Sequence, residues 1–149
     1  MPANRTKSVR VGCLAGLLLG LLAGIVLAIR YQNITNCYEN RPLLTSFGVM
    51  LGPDQVEQLV EQSRQFAYKN SFRLDVGVFD PQDEEFRIRM LREDVEVIAK
   101  RSGLSGSFEV GFYNYDCINP TTVSDVGELV NDFKSLIGEI PNVVITEAK

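Results

Sequence analysis

The chain contains no histidine and no tryptophan, and only three of its 149 residues are cysteine. Without histidine it lacks the commonest general base and cannot form the Ser-His or Cys-His pairs that activate many nucleophiles. No two cysteines form a C-x-x-C motif, which disfavours thioredoxin-like redox chemistry. A zinc site would need cysteine and carboxylate alone, and the cysteine spacing gives no support for one. We therefore expect no cofactor, no metal and no enzyme of a familiar type.

Acidic residues are absent from the first 30 positions, although the chain has 19 of them and a formal net charge of −4. The charges in that region are Arg5, Lys7, Arg10 and Arg30. The rest of the chain is consequently more acidic than the whole. An acidic domain suits nucleic acid poorly, because such binding depends on neutralising phosphates with Lys and Arg. We expect no nucleic-acid partner.

The N-terminal region does contain an uncharged apolar segment, Val11–Ile29. It is long enough to span a bilayer as a helix, which takes roughly 20 residues. Basic residues are more numerous before it than after it, so the positive-inside rule places the N-terminus in the cytoplasm and the C-terminal domain outside. We predict a single-pass protein, in a bacterial inner membrane facing the periplasm. A signal peptide cleaved after Ala28 is the alternative, but the apolar run exceeds the usual h-region of about 7–15 residues.

Small residues recur at every fourth position of this segment. They are Gly12, Gly16, Gly20, Gly24 and Ala28. Such positions share one stripe of a helix, and small-xxx-small stripes let two helix backbones approach closely in lipid. The alternative is that glycine is simply frequent in membrane helices. We predict a helix-packing face whose partner is a second copy or another membrane protein.

The remaining sequence predicts a small α+β domain. We divide the chain into a basic segment (1–10), a transmembrane helix (11–29), a tether (30–42) and an external domain (43–149). Apolar residues at helical spacing predict one helix over 54–69 and another that Gly138 and Pro141 end. Alternation with period two predicts strands in "FRLDVGVF", "FRIRML" and "FEVGFYNY".

Three further segments complete the predicted domain. Residues 43–51 are interpreted as a first strand or a packed loop, and "NVVIT" as a last strand. Residues 92–101 are interpreted as a short helix, although "VEVIA" suits a strand equally. The expected fold has a mainly antiparallel sheet of four or five strands, with two longer helices on one face. This order of elements is compatible with a ferredoxin-like sandwich.

One face of the predicted strands carries candidate binding residues. If the alternating apolar side chains are buried, the opposite face presents Arg73, Arg87, Arg89, Tyr113 and Tyr115. Arginine and tyrosine are enriched in protein interfaces, and arginine suits carboxylate binding. The alternative is a solvated face with cross-strand ion pairs, such as Asp75 with Arg87 or Arg89.

Two cysteines, Cys37 and Cys117, lie on the predicted external side. In an oxidising compartment they indicate a disulfide that joins the tether to the domain, and the alternative is two unpaired thiols. The densest acidic cluster is interpreted as a solvated hairpin turn. Its members are Asp80, Asp83, Glu84 and Glu85.

These observations favour a membrane-anchored, non-enzymatic interaction or assembly protein. Its helix would pack through the glycine stripe, and its external domain would bind a protein partner. Two alternatives stay open. One is a membrane-anchored or secreted hydrolase that uses carboxylates. The other is a domain that binds a small anionic ligand through Arg87 and Arg89.

Overall fold

A single helix, α1 (Arg5–Glu39), makes up nearly all of the first 40 residues. The computed structural model describes residues 5–77, 86–103, 106–119 and 121–147, and only the backbone at 5–18, 38, 39 and 53. The chain divides into two compact units, Met1–Asn40 and Arg41–Lys149. Each unit is described by itself below.

In α1, all the side chains from Leu19 to Asn33 are exposed. Within the described part of the chain, no helix combines the length and hydropathy that crossing a membrane requires. A Cβ added to Gly20 or Gly24 would meet no atom within 4 Å, and Ala28 is exposed. Gly12 and Gly16 belong to the portion of α1 whose side chains lie outside the description.

The segment predicted as a tether is helical over most of its length. α1 continues through it to Glu39, and the amide of Asn40 still donates to the Asn36 carbonyl at 2.8 Å. The polarity of these residues suggested a loop, but polarity alone does not break a helix. The first strong breaker after Arg30 is Pro42, whose preceding residue is disfavoured from helical geometry.

The second unit is built on one six-stranded sheet in which every neighbouring pair is antiparallel. Its strands are β1 (Leu43–Met50), β2 (Arg73–Val76), β3 (Arg87–Leu91), β4 (Val95–Arg101), β5 (Ser107–Asn114) and β6 (Val144–Glu147). Their order across the sheet is β2-β3-β4-β5-β1-β6. A 3-10 turn at Pro53–Gln55 leads into α2 (Val56–Lys69), and α3 is Gly127–Gly138. The predicted α+β class with an antiparallel sheet is confirmed, with six strands rather than four or five.

The helix predicted at 92–101 is wrong, because this segment forms β4. Val95, Val97 and Ala99 are buried at every second position, which is the spacing of a strand. β4 pairs with β3 on one side and β5 on the other. Two neighbouring ladders and β-branched side chains outweigh the helical spacing that Leu91, Val95 and Ile98 also satisfy.

The ferredoxin-like sandwich is also not formed. That topology interleaves two βαβ units, whereas here β2, β3, β4 and β5 pair in succession as a meander. Since the segment before β5 is a strand and not a helix, no crossover interrupts the meander. β1 instead lies between β5 and β6.

The hydrophobic core lies between one face of the sheet and the two helices of this unit. α2 contributes Phe66, and α3 contributes Phe133, with their ring centroids 4.6 Å apart. Phe133 also lies edge-on to Phe47 of β1, at 6.4 Å between centroids. Each such fully buried side chain contributes roughly 1.5–3 kcal/mol relative to exposure. The opposite face of the sheet is left for the charged residues of the strands.

Candidate functional site

The sheet face opposite the core carries most of the residues predicted to bind. Arg89 lies opposite Asp75 of β2, and Arg87 lies opposite Lys100 of β4. Arg73 lies on the edge strand β2 and is exposed. The five predicted residues are thus spread over the face and its end, and they do not converge on one point.

A residue that the sequence analysis did not single out, Glu96, organises this face. Its side chain is only 2% exposed, although strand alternation directs it away from the core. Its two carboxylate oxygens form ion pairs with Arg41 and Arg89. Both arginines keep part of their surface in water, at 26% and 34% exposure. A buried carboxylate needs such partners, because desolvating an unpaired charge costs several kcal/mol.

The ion pairs of Glu96 identify the partner of Arg89. The Nε of Arg89 donates a hydrogen bond to Glu96, so Arg89 already binds a carboxylate of its own sheet. Asp75, its cross-strand neighbour in β2, is exposed. The predicted ion-pair alternative is therefore realised at Arg89, but with Glu96 in place of Asp75.

The start of the domain is fastened to the end of β5 by the same cluster. The guanidinium of Arg41 lies over the Tyr115 ring, 4.4 Å from its centroid. The next carbonyl, that of Pro42, accepts the amide hydrogen of Asn114 at 2.9 Å. A cation over an aromatic ring adds about 0.5–2 kcal/mol, depending on its exposure. Tyr115, predicted as a binding residue, already has an internal partner.

Tyr113 lies flat on the sheet, because the neighbouring residue on that face is a glycine. A Cβ at Gly111 would lie 2.6 Å from Cε2 of the Tyr113 ring. Glu96 is the cross-strand partner of Tyr113, and Ile98 is the cross-strand partner of Gly111. Gly111 thereby lets an aromatic side chain cover the backbone of β5 on the open face.

A cleft of about 720 Å³ opens at the end of the sheet where Tyr115 lies. It is lined by Ser71, Arg73, Leu91, Arg92, Glu93, Asp94, Tyr115 and Asp116. Two of the predicted binding residues, Arg73 and Tyr115, line this cleft. The other three, Arg87, Arg89 and Tyr113, do not line it.

The charged groups of the cleft are largely satisfied by one another. Arg92 donates to both oxygens of Asp94, at 2.6 and 2.8 Å, and lies over the Phe72 ring at 4.9 Å. That hydrogen bond from Arg92 is the main reason why the pKa of Asp94 is lowered. Among the residues that the structure describes, Arg73 has no hydrogen-bond or ion-pair partner.

Asp116 is also held as a carboxylate. The backbone amides of Asn119 and Ile118 donate to it, at 3.0 and 2.8 Å, and they lower its pKa. A general acid at neutral pH requires a raised pKa. Asp94 and Asp116 are therefore suited to structural roles and not to proton donation.

A second cleft, of about 460 Å³, is lined by residues from the end of α2, from α3 and the segment before it, and by Arg92. Asp132 accepts hydrogen bonds from Lys69 at 2.5 Å and Asn70 at 2.9 Å. These two donors, Lys69 first, lower the pKa of Asp132. Within the described ranges, no group of three or more acidic or cysteine side chains is arranged to hold a metal ion.

Two sequence predictions concern residues with less structural detail. Cys37 and Cys117 are both disulfide-bonded; that each is the partner of the other stays a prediction, which peptide mapping of the non-reduced protein would test. The acidic cluster Asp80, Asp83, Glu84 and Glu85 lies outside the described residues.

Comparison with known proteins adds no family to this description. No family model matches the chain, and no curated protein sequence matches it. The function must therefore be argued from the chain's own residues.

Proposed function

We propose that this protein is a single-pass, membrane-anchored interaction or assembly protein without enzymatic activity. Its N-terminus faces the cytoplasm, and residues 41–149 form an external domain, in a bacterial inner membrane facing the periplasm. α1 anchors it and packs through the glycine stripe against a second copy or another membrane protein. The external domain binds a protein partner.

The observation that carries this proposal is the exposed apolar surface of α1. Leu19, Leu21, Leu22, Ile25, Val26, Leu27 and Ile29 are between 47% and 68% exposed. Because they include consecutive positions, they point in several directions around the helix axis. Helices that are apolar all round are found in membranes or deep inside large proteins. Soluble monomers rarely expose contiguous apolar patches larger than a few hundred Å².

The glycine stripe supports the second part of the proposal. The positions of Gly20 and Gly24 are open, since an added Cβ would meet nothing within 4 Å. An open groove of this kind admits the backbone of another helix. Gly12 and Gly16 extend the stripe by sequence spacing alone.

Two acids of the larger cleft do not support a carboxylate hydrolase there. Asp94 and Asp116, which line the larger cleft, have lowered pKa values, and the paired acids of a glycosidase need one raised. A second candidate function has one observation in its favour. Arg73, which has no hydrogen-bond or ion-pair partner among the described residues, lines that cleft together with Arg92. This would be an anion-binding domain, although at Arg73 rather than at Arg87 and Arg89.

The deciding experiment uses the full chain in native membranes. We expect the protein to stay in the membrane pellet after an alkaline wash. We expect chemical cross-linking to capture an associated species that Gly16→Ile with Gly20→Ile abolishes. The matched control, Leu17→Ile with Leu21→Ile, enlarges no glycine and should keep that species. Release of the protein by the alkaline wash would refute membrane anchoring. Equal cross-linking of both variants would refute packing through the glycine stripe.

The anion-binding alternative is tested by adding inorganic phosphate to the same protein and following the backbone amide NMR signals of Ser71 and Arg92, which line the cleft. Saturable shifts that Arg73→Gln removes and Arg87→Gln preserves would favour this second function. Shifts that depend only on ionic strength would contradict specific anion binding in the cleft.

A further inference from the structure

The first residues of the domain are attached to the sheet less regularly than the rest of β1. The register of β1 against β5 is continuous from Thr45 to Met50 but shifts between Leu43 and Thr45. Pro42 is exposed, and Leu43 is 50% exposed. A register shift interrupts the hydrogen-bond ladder locally. The pairing of Leu43 is therefore not continuous with the ladder that begins at Thr45.

We call residues 41–43 the strap. Apart from the pairing of Leu43 with Tyr113, the contacts described above hold it in place. Arg41 forms an ion pair with Glu96 and lies over the Tyr115 ring. The Pro42 carbonyl accepts the Asn114 amide hydrogen. Arg41 supplies two of these contacts, so its side chain is the main noncovalent fastening of the strap.

We propose that the strap detaches from the sheet as a unit, with the Arg41–Glu96 ion pair as its latch. Detachment uncovers the ring of Tyr115, a residue that lines the larger cleft. Glu96 keeps its ion pair with Arg89 when Arg41 leaves, so the carboxylate is not stranded and the sheet stays folded. Segments held by few buried contacts open in this way well below the free energy of global unfolding. The strap belongs to residues 41–149, so it does not depend on whether α1 crosses a membrane.

Two neighbouring amides report on the strap and on its surroundings separately. The Asn114 amide donates to Pro42 of the strap, whereas the Tyr115 amide donates to the Asp94 carbonyl, also at 2.9 Å. Opening of the strap exposes the first amide and leaves the second bonded. The Ala99 amide of the central strand β4 serves as the reporter of global unfolding.

The test is residue-resolved hydrogen exchange by NMR on the full chain in detergent micelles, under conditions that keep Cys37 and Cys117 disulfide-bonded. In the unmodified protein we expect Asn114 exchange to be insensitive to low urea, and Ala99 exchange to increase with it. In Arg41→Met we expect Asn114 to exchange roughly tenfold faster, as loss of a charged hydrogen bond predicts, and Tyr115 to be unchanged. The matched control is Lys100→Met, which removes a cation from the 3.2 Å pair with Glu109 and should leave Asn114 unchanged.

Arg41→Lys keeps the charge but loses the planar guanidinium, so it should give a smaller acceleration in the same direction. If Arg41→Met does not fold, Asn114 exchange in Arg41→Lys provides the test instead. The proposal is overturned if Asn114 and Tyr115 accelerate together, or if urea affects Asn114 as steeply as Ala99. Unchanged Asn114 exchange in both Arg41 variants would show that Arg41 is not the latch.

Discussion

The helices of this protein differ in whether their apolar side chains are buried or exposed. In α2 and α3 the apolar side chains are buried on one face, as at Leu59 and Phe66 or Phe133 and Ile137. In α1, apolar side chains from Leu19 to Ile29 are exposed at consecutive positions. A one-sided apolar face fits a helix that packs on a sheet, whereas an all-round apolar surface needs another environment. Burial of apolar side chains therefore stabilises the domain, whereas the exposed apolar side chains of α1 suit the proposed membrane anchor.

The largest expected effect is on the packed side of this comparison. Phe133→Ala should destabilise the domain by about 3–5 kcal/mol, because the ring is fully buried against Phe47 and Phe66 and its loss leaves a cavity. Chemical denaturation of the full chain in detergent measures this. Leu22→Ala, on the exposed surface of α1, should not change the unfolding of the domain; an equal loss would erase the distinction between the helices.

The reverse substitution tests α1. Leu21→Arg places a charge near the middle of the proposed span, at a cost of about 3 kcal/mol for insertion. We expect a large fraction of the protein to be lost from the alkaline-washed membrane pellet. Tyr68→Arg, which adds the same charge at a 91% exposed position of α2, should stay in the pellet. Retention of both variants would contradict membrane anchoring by α1.

A similar contrast exists between two carboxylates on the open face of the sheet. Glu96→Gln should lower the free energy of unfolding by about 2 kcal/mol, less than for a wholly buried pair because Arg41 and Arg89 remain partly hydrated. Glu109→Gln, in a more exposed pair with Lys100, should cost about 0.5 kcal/mol or less. Similar values for the two variants, from urea titrations, would show that burial does not distinguish them.

The pH dependence of stability tests the contacts between α2 and α3. The pKa of Asp132 lies below its ordinary 3.8 because Lys69 and Asn70 donate to the carboxylate. A lowered folded-state pKa stabilises above the unfolded value, and that contribution is lost as the pH falls through the folded-state pKa. The stability difference between the unmodified protein and Asp132→Asn should therefore shrink below about pH 4. The exposed Asn131→Ala should retain the unmodified pH profile, and parallel profiles for Asp132→Asn would disprove the assignment.

The smallest effect is expected at the surface of α2. Glu61 and Arg64 form an exposed pair at 2.7 Å, three residues apart. Arg64→Ala should change the free energy of unfolding by less than about 0.5 kcal/mol. A loss above about 1 kcal/mol would mean that Arg64 contributes to the fold beyond this pair.

Much of the fold could be predicted because its elements have regular patterns of apolar residues. The alternation in "FRIRML" and "FEVGFYNY" predicted β3 and β5, and helical spacing predicted α2 and α3. β4 was misassigned because Val95 and Ile98 fit a helix as well as a strand. That error also hid Glu96, since a helix over 92–101 would have left its side chain in solvent.

The sequence by itself determined the unequal distribution of charge, the uncharged segment Val11–Ile29 and the one-sided helices of an α+β domain, because these depend on composition and local period. The tertiary structure decided the strand order, the burial of Glu96 and its two arginine partners. Arg41 lies 55 positions from Glu96 in the chain. Only the pairing of β4 between β3 and β5, with the first residues of the domain at the end of β5, brings them together. No local pattern specifies such a contact, because its stabilisation depends on desolvation within the assembled sheet.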